Sequence, residues 1–294
     1  MPSVKDLRER IRSLKNTQQI TKAMKQVAAA KIRRAEMAQK AARPYAETIS
    51  EMLRDLMAAV SHVDHPFMKP GKAGAPSGVI LMTADKGLAG AFNSNVIRAG
   101  EIFARETKNV SWYSVGIKAR NSIRRAGNPN HPTWVLNAPS KLAVAREVAQ
   151  AVTEDFASGK ISEIVLVSSK LISMLSQKPA VQKLVPILRQ AQDENAAQGD
   201  QAARGPKSTV EFSPSPEAVL SRLLPKYLEF TIFSAMLETD AAFFAAQLLA
   251  MNNATDNAGK LIDELTIQMN NARQAAITKE LLEIVGGAEA LVKG

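Results

Sequence analysis

The sequence contains no cysteine, which excludes disulfide bonds, thiolate metal sites and a cysteine nucleophile. Aromatic residues are scarce at 5% although 46% of the chain is apolar, a balance typical of alanine-rich helix packing. No continuous apolar run reaches the roughly 20 residues that a membrane helix needs. The basic N-terminus also lacks the apolar stretch of a signal peptide. We therefore expect a soluble protein whose mature chain starts at the given N-terminus.

Positive charge is concentrated at the N-terminal end of the chain. Residues 1–43 hold twelve Lys and Arg residues against three Asp and Glu residues, and so carry +9 of the total charge of +10. In the stretch ITKAMKQVAAAKIRRAE (20–36), a helical period gathers apolar side chains on one side: Ile20, Met24, Val27, Ala28 and Ala35. The opposite side is basic, with Lys22, Lys25, Arg33 and Lys40. This favours an anionic partner (nucleic acid, an acidic protein surface or anionic lipid) over a face that is only solvated.

The first segment, about residues 3–60, has the pattern of one long helix. Ser3 is the expected N-cap, with Asp6 at the third helical position. The next apolar residues keep the 3-4-3 spacing of a coiled-coil seam: Val4, Leu7, Ile11 and Leu14. After NTQQ (16–19) we expect the apolar stripe to change face, and Pro44 is a candidate bend.

The last segment also predicts a long helix, because residues 226–285 contain no Pro and only one Gly, Gly259. Such a helix would be roughly 90 Å long. Small residues dominate a first seam, formed by Leu228, Ile232, Ala235, Ala242, Ala246 and Leu249. A second seam, displaced by one residue, contains Ala258, Leu261, Leu265, Ala272 and Ala275. We expect the two ends to pair antiparallel, with residues 20–36 against the C-terminal helix.

The middle segment alternates strands and helices, which predicts a layered α/β domain. Branched apolar runs predict strands at 78–82, 110–115, 133–136 and 163–168, with helices near 94–106, 117–126 and 140–157. The turn TADKGLAGAFNSN (83–95) could cradle a phosphate, but it lacks the spacing of known phosphate-binding loops, and a tight structural turn is favoured. Residues 189–208 have the composition of a linker. His62 and His65 lie in a loop, where we expect no metal site.

The predicted fold class is α/β plus long helices: an antiparallel coiled coil of the terminal helices with an inserted Rossmann-like α/β domain. The predicted domains are an N-terminal coiled-coil helix (1–60), the α/β domain (75–190) and a C-terminal coiled-coil helix (209–294).

Four stretches, in order along the chain, resemble the gamma subunit family of F-type ATP synthases. NTQQITKAMKQVAAAKIRRAE (16–36) is similar to the N-terminal signature of the family, and TADKGLAGAFN (83–93) to its first strand-turn-helix. VSSKLISMLSQKP (167–179) resembles a later strand, and residues 250–291, beginning AMNNATDNAGK, resemble the C-terminal signature. The resemblance covers the chain from end to end.

The resemblance implies a rotary shaft in a ring of alpha and beta subunits. Proton flow would turn this chain together with a ring of c subunits, and the shaft would drive the beta sites through their open, loose and tight states. The epsilon subunit would be a further partner, at the cytoplasmic face of the bacterial plasma membrane. The chemistry would belong to beta, so the resemblance implies no catalytic residue, cofactor, metal, nucleic acid or small-molecule substrate for this chain.

The same resemblance implies two sets of contacts with the surrounding subunits. Lys22, Met24 and Lys25 match the family's contact with an acidic beta loop. An upper contact with the beta subunit is matched by Arg273, Gln274, Thr278, Glu280 and Glu283. The stretch VEFSPSP (210–216) corresponds to the foot that faces the ring, where Phe212 and Ser213 replace a common tyrosine and glutamate.

The chain departs from the family at AFFAAQ (242–247), where Phe243 and Gln247 replace a Glu and an Arg that usually make polar shaft contacts. We expect a more apolar seam at that level. Two other hypotheses remain open from the residues alone. One is a basic coiled-coil protein that binds nucleic acid, although the first 60 residues offer only Tyr45 for stacking. The other is a nucleotide-binding enzyme that uses the Gly-bearing turn.

Overall fold

The computed structural model describes residues 3–59, 65–187 and 216–292, and these belong to two compact units. One unit consists of residues 1–29 and 247–294, and is called here the helix-pair unit. The other consists of residues 30–246, and is called here the α/β unit. The predicted foot residues Phe212 and Ser213, the linker 189–208 and His62 lie outside the described residues.

Helix α1 spans Val4–Ala59 and begins at a reciprocal cap. The backbone N–H of Ser3 donates to the Asp6 carboxylate, and the N–H of Asp6 donates to the Ser3 hydroxyl, both at 3.2 Å. These bonds satisfy two donors that a helix start leaves open. The predicted N-cap is therefore confirmed, and the helix runs on through Pro44.

Helix α5 spans Pro216–Val292 and is the longest element of the described chain. It starts ten residues before the predicted Lys226 and contains Pro225. Part of it is apolar and poor enough in charge to cross a membrane by length and composition, and half of that window is buried inside the protein. The core helix of a globular protein meets the same criterion.

The α/β unit contains a five-stranded sheet in the order β3-β2-β1-β4-β5. In chain order its elements are β1 (Ser77–Met82), α2 (Phe92–Thr107), β2 (Val110–Val115), α3 (Ile117–Arg125), β3 (Thr133–Trp134), α4 (Lys141–Ala157), β4 (Glu163–Ser173) and β5 (Ser176–Val185). The first four strands are parallel, and β5 pairs antiparallel with β4. The predicted α/β alternation is confirmed. Strand β5 was not predicted, because the exposed Lys178, Pro179 and Lys183 give it the composition of a loop.

Both faces of the sheet are covered, which places the core of the α/β unit on either side of β1. Ile80 and Met82 face a large cluster that includes α4 and α5, whereas Val79 and Leu81 face α2 and α3. Alternate side chains of a strand point to opposite faces, so a strand covered on both sides must be apolar throughout. This accounts for the uninterrupted run GVILM.

Within the helix-pair unit, the buried face of α1 differs from the predicted stripe. Leu7, Ile11 and Ala28 are buried as predicted, but Ile20 and Val27 are 60% and 54% exposed. The stripe does not change face after residue 19. The buried seam keeps its 3-4 spacing and passes through the polar residues 18, 21 and 25 instead.

The seam of α5 shows the same effect. In the α/β unit Leu228, Ile232, Ala242 and Ala246 are buried, as predicted. In the helix-pair unit Met251, Ala258 and Ile262 form the buried positions. The predicted Leu261 is 46% exposed and Ala275 is exposed, so these two assignments were wrong. The 3-4 spacing from Met251 through Ala258 leads to Ile262 and not to its apolar neighbour.

The predicted antiparallel pairing of α1 and α5 is confirmed in each unit separately. In the helix-pair unit Lys25 contacts Asn252, and Thr21 contacts Thr255. In the α/β unit Lys31 lies over Phe244, and further along α1 Tyr45 stacks on the earlier Phe230, with ring centroids 6.3 Å apart.

Candidate functional site

A polar layer interrupts the apolar seam of the helix-pair unit. The Lys25 ammonium donates to Asn252 Oδ1 at 2.5 Å, and the hydroxyl oxygens of Thr21 and Thr255 lie 2.8 Å apart. Gln18 Nε2 donates to the Thr255 carbonyl at 3.4 Å. Of the three residues predicted to contact a partner here, Lys25 is therefore held within the chain. Lys22 is exposed and Met24 is half-buried.

The far end of α5 has no helix beside it among the described residues. Because α1 and α5 are antiparallel, each step back along α1 from Lys25 matches a step forward along α5 from Asn252. This register brings Ser3, the first described residue, opposite Arg273 or Gln274. Every described side chain from residue 273 to 286 is exposed. We call this stretch the free end of α5.

The free end contains all five residues of the predicted upper contact. Thr278 donates its hydroxyl to the Gln274 carbonyl at 3.0 Å, and Glu283 faces Lys279 at 3.6 Å. Both are contacts between neighbouring turns of the same helix, and both are exposed to solvent. Five large apolar side chains of the free end are 50–67% exposed: Ile277, Leu281, Leu282, Ile284 and Val285. A single helix with this much uncovered apolar surface is suited to lie inside a partner.

The turn that follows β1 is built around a carboxylate. Asp85 accepts backbone N–H bonds from Ile117 at 3.0 Å, Leu136 at 3.2 Å and Asn137 at 2.8 Å. Asn93 closes the turn by accepting from the N–H of Ala84 at 3.0 Å. Asp85 thus occupies the N-terminus of α3, where a phosphate would otherwise be attracted. This geometry supports the structural interpretation of the turn.

Three acidic residues of α5 fasten this helix to the rest of the α/β unit. Glu229 pairs with Arg146 of α4 at 3.3 Å, and Asp240 pairs with Lys141 of α4 at 3.2 Å. Glu238 accepts the backbone N–H of Leu171 in β4 at 3.3 Å. Burial raises the pKa of both Glu238 and Asp240, and these partners only partly offset it. This part of α5 is therefore held to α4 and β4 by several partly buried polar contacts.

Phe243, at the level where a more apolar seam was expected, lies in an apolar cluster. Its ring is 4% exposed and packs edge-on against Phe92 at 5.7 Å and Phe244 at 5.2 Å. Lys31 of α1 places its ammonium 5.3 Å from the centre of the Phe244 ring. Helix α5, the turn after β1 and α1 therefore meet around aromatic rings at this level.

His65, the described member of the histidine pair, caps a short 3₁₀ helix at Pro66–Met68. Its Nδ1 accepts the backbone N–H of Phe67 at 3.1 Å, and burial lowers its pKa. Within the described residues no group of three or more potential ligands could hold a metal ion.

Comparison with known proteins gives matches over the full length of the chain. The family described as ATP synthase matches residues 3–291. The ATP synthase gamma chain of Heliobacterium modesticaldum is 44% identical over 292 residues, which cover 99% of this chain and all of that protein. The gamma chain of Phenylobacterium zucineum is 42% identical over 297 residues, with the same coverage.

Two solved structures have the same fold at low sequence identity. A chain of the Euglena gracilis mitochondrial ATP synthase (OSCP/F1/c-ring, rotational state 3) aligns with a TM-score of 0.66 at 19% identity, covering 98% of this chain and 94% of that one. A chain of the Tetrahymena thermophila central stalk and c-ring aligns with a TM-score of 0.58 at 23% identity, covering 80% and 99%. None of these matches supports the nucleic-acid-binding alternative.

Proposed function

The chain belongs to the family of ATP synthase gamma chains, and from this we propose that it is the central rotor of a proton-translocating F-type ATP synthase. It couples proton flow through the membrane ring to ATP synthesis or hydrolysis at the beta subunits. The chain itself is not catalytic.

The free end of α5 is the observation that carries this proposal. It combines exposed apolar residues with Arg273, Gln274 and Glu280 on a helix that has no described neighbour. Buried apolar area stabilises by roughly 25 cal/mol per Å², so covering these side chains would favour assembly. A head that encloses the helix supplies this cover. The polar residues at the same level give contacts that change as the helix turns.

The basic face of α1 is the second proposed contact. Lys22 is exposed and free to attract acidic loops of the beta subunits, and Met24 is half-buried one half-turn further along α1. Lys25 contributes mainly by holding the two helices in register through Asn252. Complementary charge of this kind guides association and fixes orientation more than it adds affinity.

At the other end of the rotor we propose contacts with the epsilon subunit and the ring of c subunits. Phe212 and Ser213 are the residues proposed to face the ring, by the match of VEFSPSP to the family's foot. The complex then lies at the cytoplasmic face of the bacterial plasma membrane, to which this chain is bound peripherally.

Co-purification tests the proposal. The tagged full-length chain is expressed with alpha and beta subunits of the same source, purified and analysed by mass spectrometry, and bound nucleic acid is measured in parallel. We expect alpha and beta in excess over this chain, with ATP hydrolysis that depends on its presence. Recovery of nucleic acid without alpha and beta would contradict the proposal.

The upper contact is tested by the double variant R273A/Q274A. Alanine favours the helix, so the shaft should stay intact while contacts specific to some rotor positions are lost. We expect steady-state ATP hydrolysis of the assembled complex to change by about tenfold, since roughly 1.4 kcal/mol on a rate-limiting step has that effect. The matched control is the variant Q268A. Gln268 is an exposed polar residue on the same helix, before the free end. Normal assembly with rates within twofold of wild type would show that the pair is only solvated surface.

A further inference from the structure

The hairpin between β4 and β5 has an apolar tip. Leu175 is 75% exposed, Ile172 61% and Met174 42%. Exposed turns are ordinarily polar, and a group of large apolar residues on one marks a contact surface.

The hairpin does not need these residues for its own geometry. The Ser173 hydroxyl accepts the backbone N–H groups of Leu175 at 3.3 Å and Ser176 at 3.1 Å. Gln177 Nε2 donates to the carbonyls of Ser173 at 3.3 Å and Met174 at 3.0 Å. Two polar side chains therefore close the turn, and the apolar ones are left facing outwards.

Two lysines stand directly opposite each other just below the tip. Lys170 of β4 and Lys178 of β5 are cross-strand partners in the ladder, and both are exposed. Like charges at such positions destabilise a strand pair. Among the described residues neither lysine forms an ion pair, although the charge of Lys170 partly offsets the rise that burial causes in the pKa of Glu238. An apolar centre with a cationic rim fits a partner whose apolar residues are flanked by carboxylates.

The base of the hairpin belongs to a cluster that also contacts the basic helix α1 within the α/β unit. Leu171, at its base, packs against the cluster of Phe92, Phe243 and Ala89. Leu88, next to Ala89, is 63% exposed at the tip of the turn after β1. Phe244 packs against Phe243 in this cluster, and the Lys31 ammonium of α1 lies over the Phe244 ring. The base of the hairpin therefore lies in the same cluster that α1 contacts through Lys31.

We infer that the tip formed by Ile172, Met174 and Leu175, with Lys170 and Lys178 as its rim, docks on an acidic, apolar-centred segment of a beta subunit in the head. This inference rests on the proposed function. It assigns the head a contact on the α/β unit that is separate from the two helical contacts.

A fluorescent probe on the hairpin tests the inference, because a chain without cysteine accepts a single labelling site. The probe is attached to L175C, and its collisional quenching by iodide is measured for the full chain alone and after addition of the alpha–beta head, the epsilon subunit or detergent-solubilised c-ring. The control is I102C, whose parent residue is 48% exposed on α2. We expect the head to reduce quenching at position 175 at least threefold and to leave position 102 unchanged. Unchanged quenching at 175 with head bound, or protection by epsilon or ring alone, overturns the inference.

Charge reversal gives a second measurement without a label. K170E/K178E should raise the dissociation constant of the chain for the head about tenfold, with an effect that shrinks in high salt, and I102S should leave it unchanged. Equal affinity of K170E/K178E and wild type would overturn the inference while leaving the proposed function in place. Failure of the wild-type chain to bind the head would count against the proposed function itself.

Discussion

Glu238 and Asp240 lie two residues apart on α5, and burial favours the neutral form of both. Glu238 has a backbone N–H as its direct partner, and Asp240 has the Lys141 ammonium. Glu163 shows the opposite balance. Burial alone would raise its pKa, but hydrogen bonds from Lys183 and Ser77 outweigh burial and lower it. Within one unit, ionisation of Glu238 and Asp240 therefore lowers the stability of the fold, whereas ionisation of Glu163 raises it.

The first prediction concerns E238Q. The pKa of Glu238 is higher in the folded state than in the unfolded state. Its ionisation therefore destabilises the fold. This destabilisation is absent below the unfolded pKa, near 4.3, and reaches its full size once the pH exceeds the folded pKa. Gln keeps an acceptor for the Leu171 N–H without this cost. We expect E238Q to be more stable than wild type at pH 7, with the difference vanishing toward pH 4.

Urea unfolding followed by the fluorescence of Trp112 and Trp134, both in the α/β unit, measures this difference. The control E163Q should behave in the opposite sense. It should be less stable than wild type at pH 7, with a gap that narrows as pH falls, because the lowered pKa of Glu163 contributes stability only above its unfolded value. An E238Q variant less stable than wild type at pH 7 would contradict the account.

At the scale of elements, α1 and α5 pair through a seam that is partly polar. Strands β1 and β2 could be predicted to within one residue, because short runs rich in branched and aromatic residues and bounded by turn residues are typical of strands. The seam beyond residue 14 could not be predicted by following hydrophobicity. Polar residues occupy it there: Gln18, Thr21 and Lys25. Their partners, Asn252 and Thr255, lie over 200 residues away in the chain, so the sequence near residue 20 does not reveal them. The unbroken 3-4 spacing was the signal that would have found them.

Gly259 gives a prediction for this helix pair. A Cβ at this position would lie 3.1 Å from Gln18 Nε2, the end of a flexible side chain that can shift by a few tenths of an ångström. Glycine inside a helix costs roughly 0.5–1 kcal/mol relative to alanine. We expect G259A to slow amide hydrogen exchange around residues 10–25 about threefold in the assembled complex, and G259L to speed it by displacing Gln18. Faster exchange in G259A would show that Gln18 cannot move.

The whole molecule combines a well-packed α/β unit with helices that expose much of their surface. The family could be recognised from the sequence because its signatures are continuous stretches, two on the long helices and two in the α/β unit. The exposed apolar hairpin tip and the ion pairs of Glu229 and Asp240 with α4 could not be predicted. They depend on which strands and helices meet in three dimensions. Isolated, such a chain should be prone to aggregation, since its thin seams bury little area.

Limited proteolysis tests this view of the free end. Trypsin cleaves after Arg273 and Lys279, and an exposed helix end opens locally at little free-energy cost. We expect cleavage at both sites in the isolated chain and at least tenfold slower cleavage once alpha and beta subunits are bound. Arg105 and Arg124, exposed on α2 and α3, serve as control sites whose cleavage should change little. Equal cleavage at Arg273 with and without the head would contradict enclosure of the free end.

Direct observation of rotation is the measurement that tests the central claim most directly. The alpha–beta head is fixed to a surface, and a bead is attached to this chain through R105C, a single cysteine on the exposed side of α2. The account predicts that ATP drives the bead around continuously in one direction, with one pause for each beta subunit, and that rotation stops when ATP is removed. A bead that stays fixed while the same complexes hydrolyse ATP would contradict the assignment of this chain as the rotor.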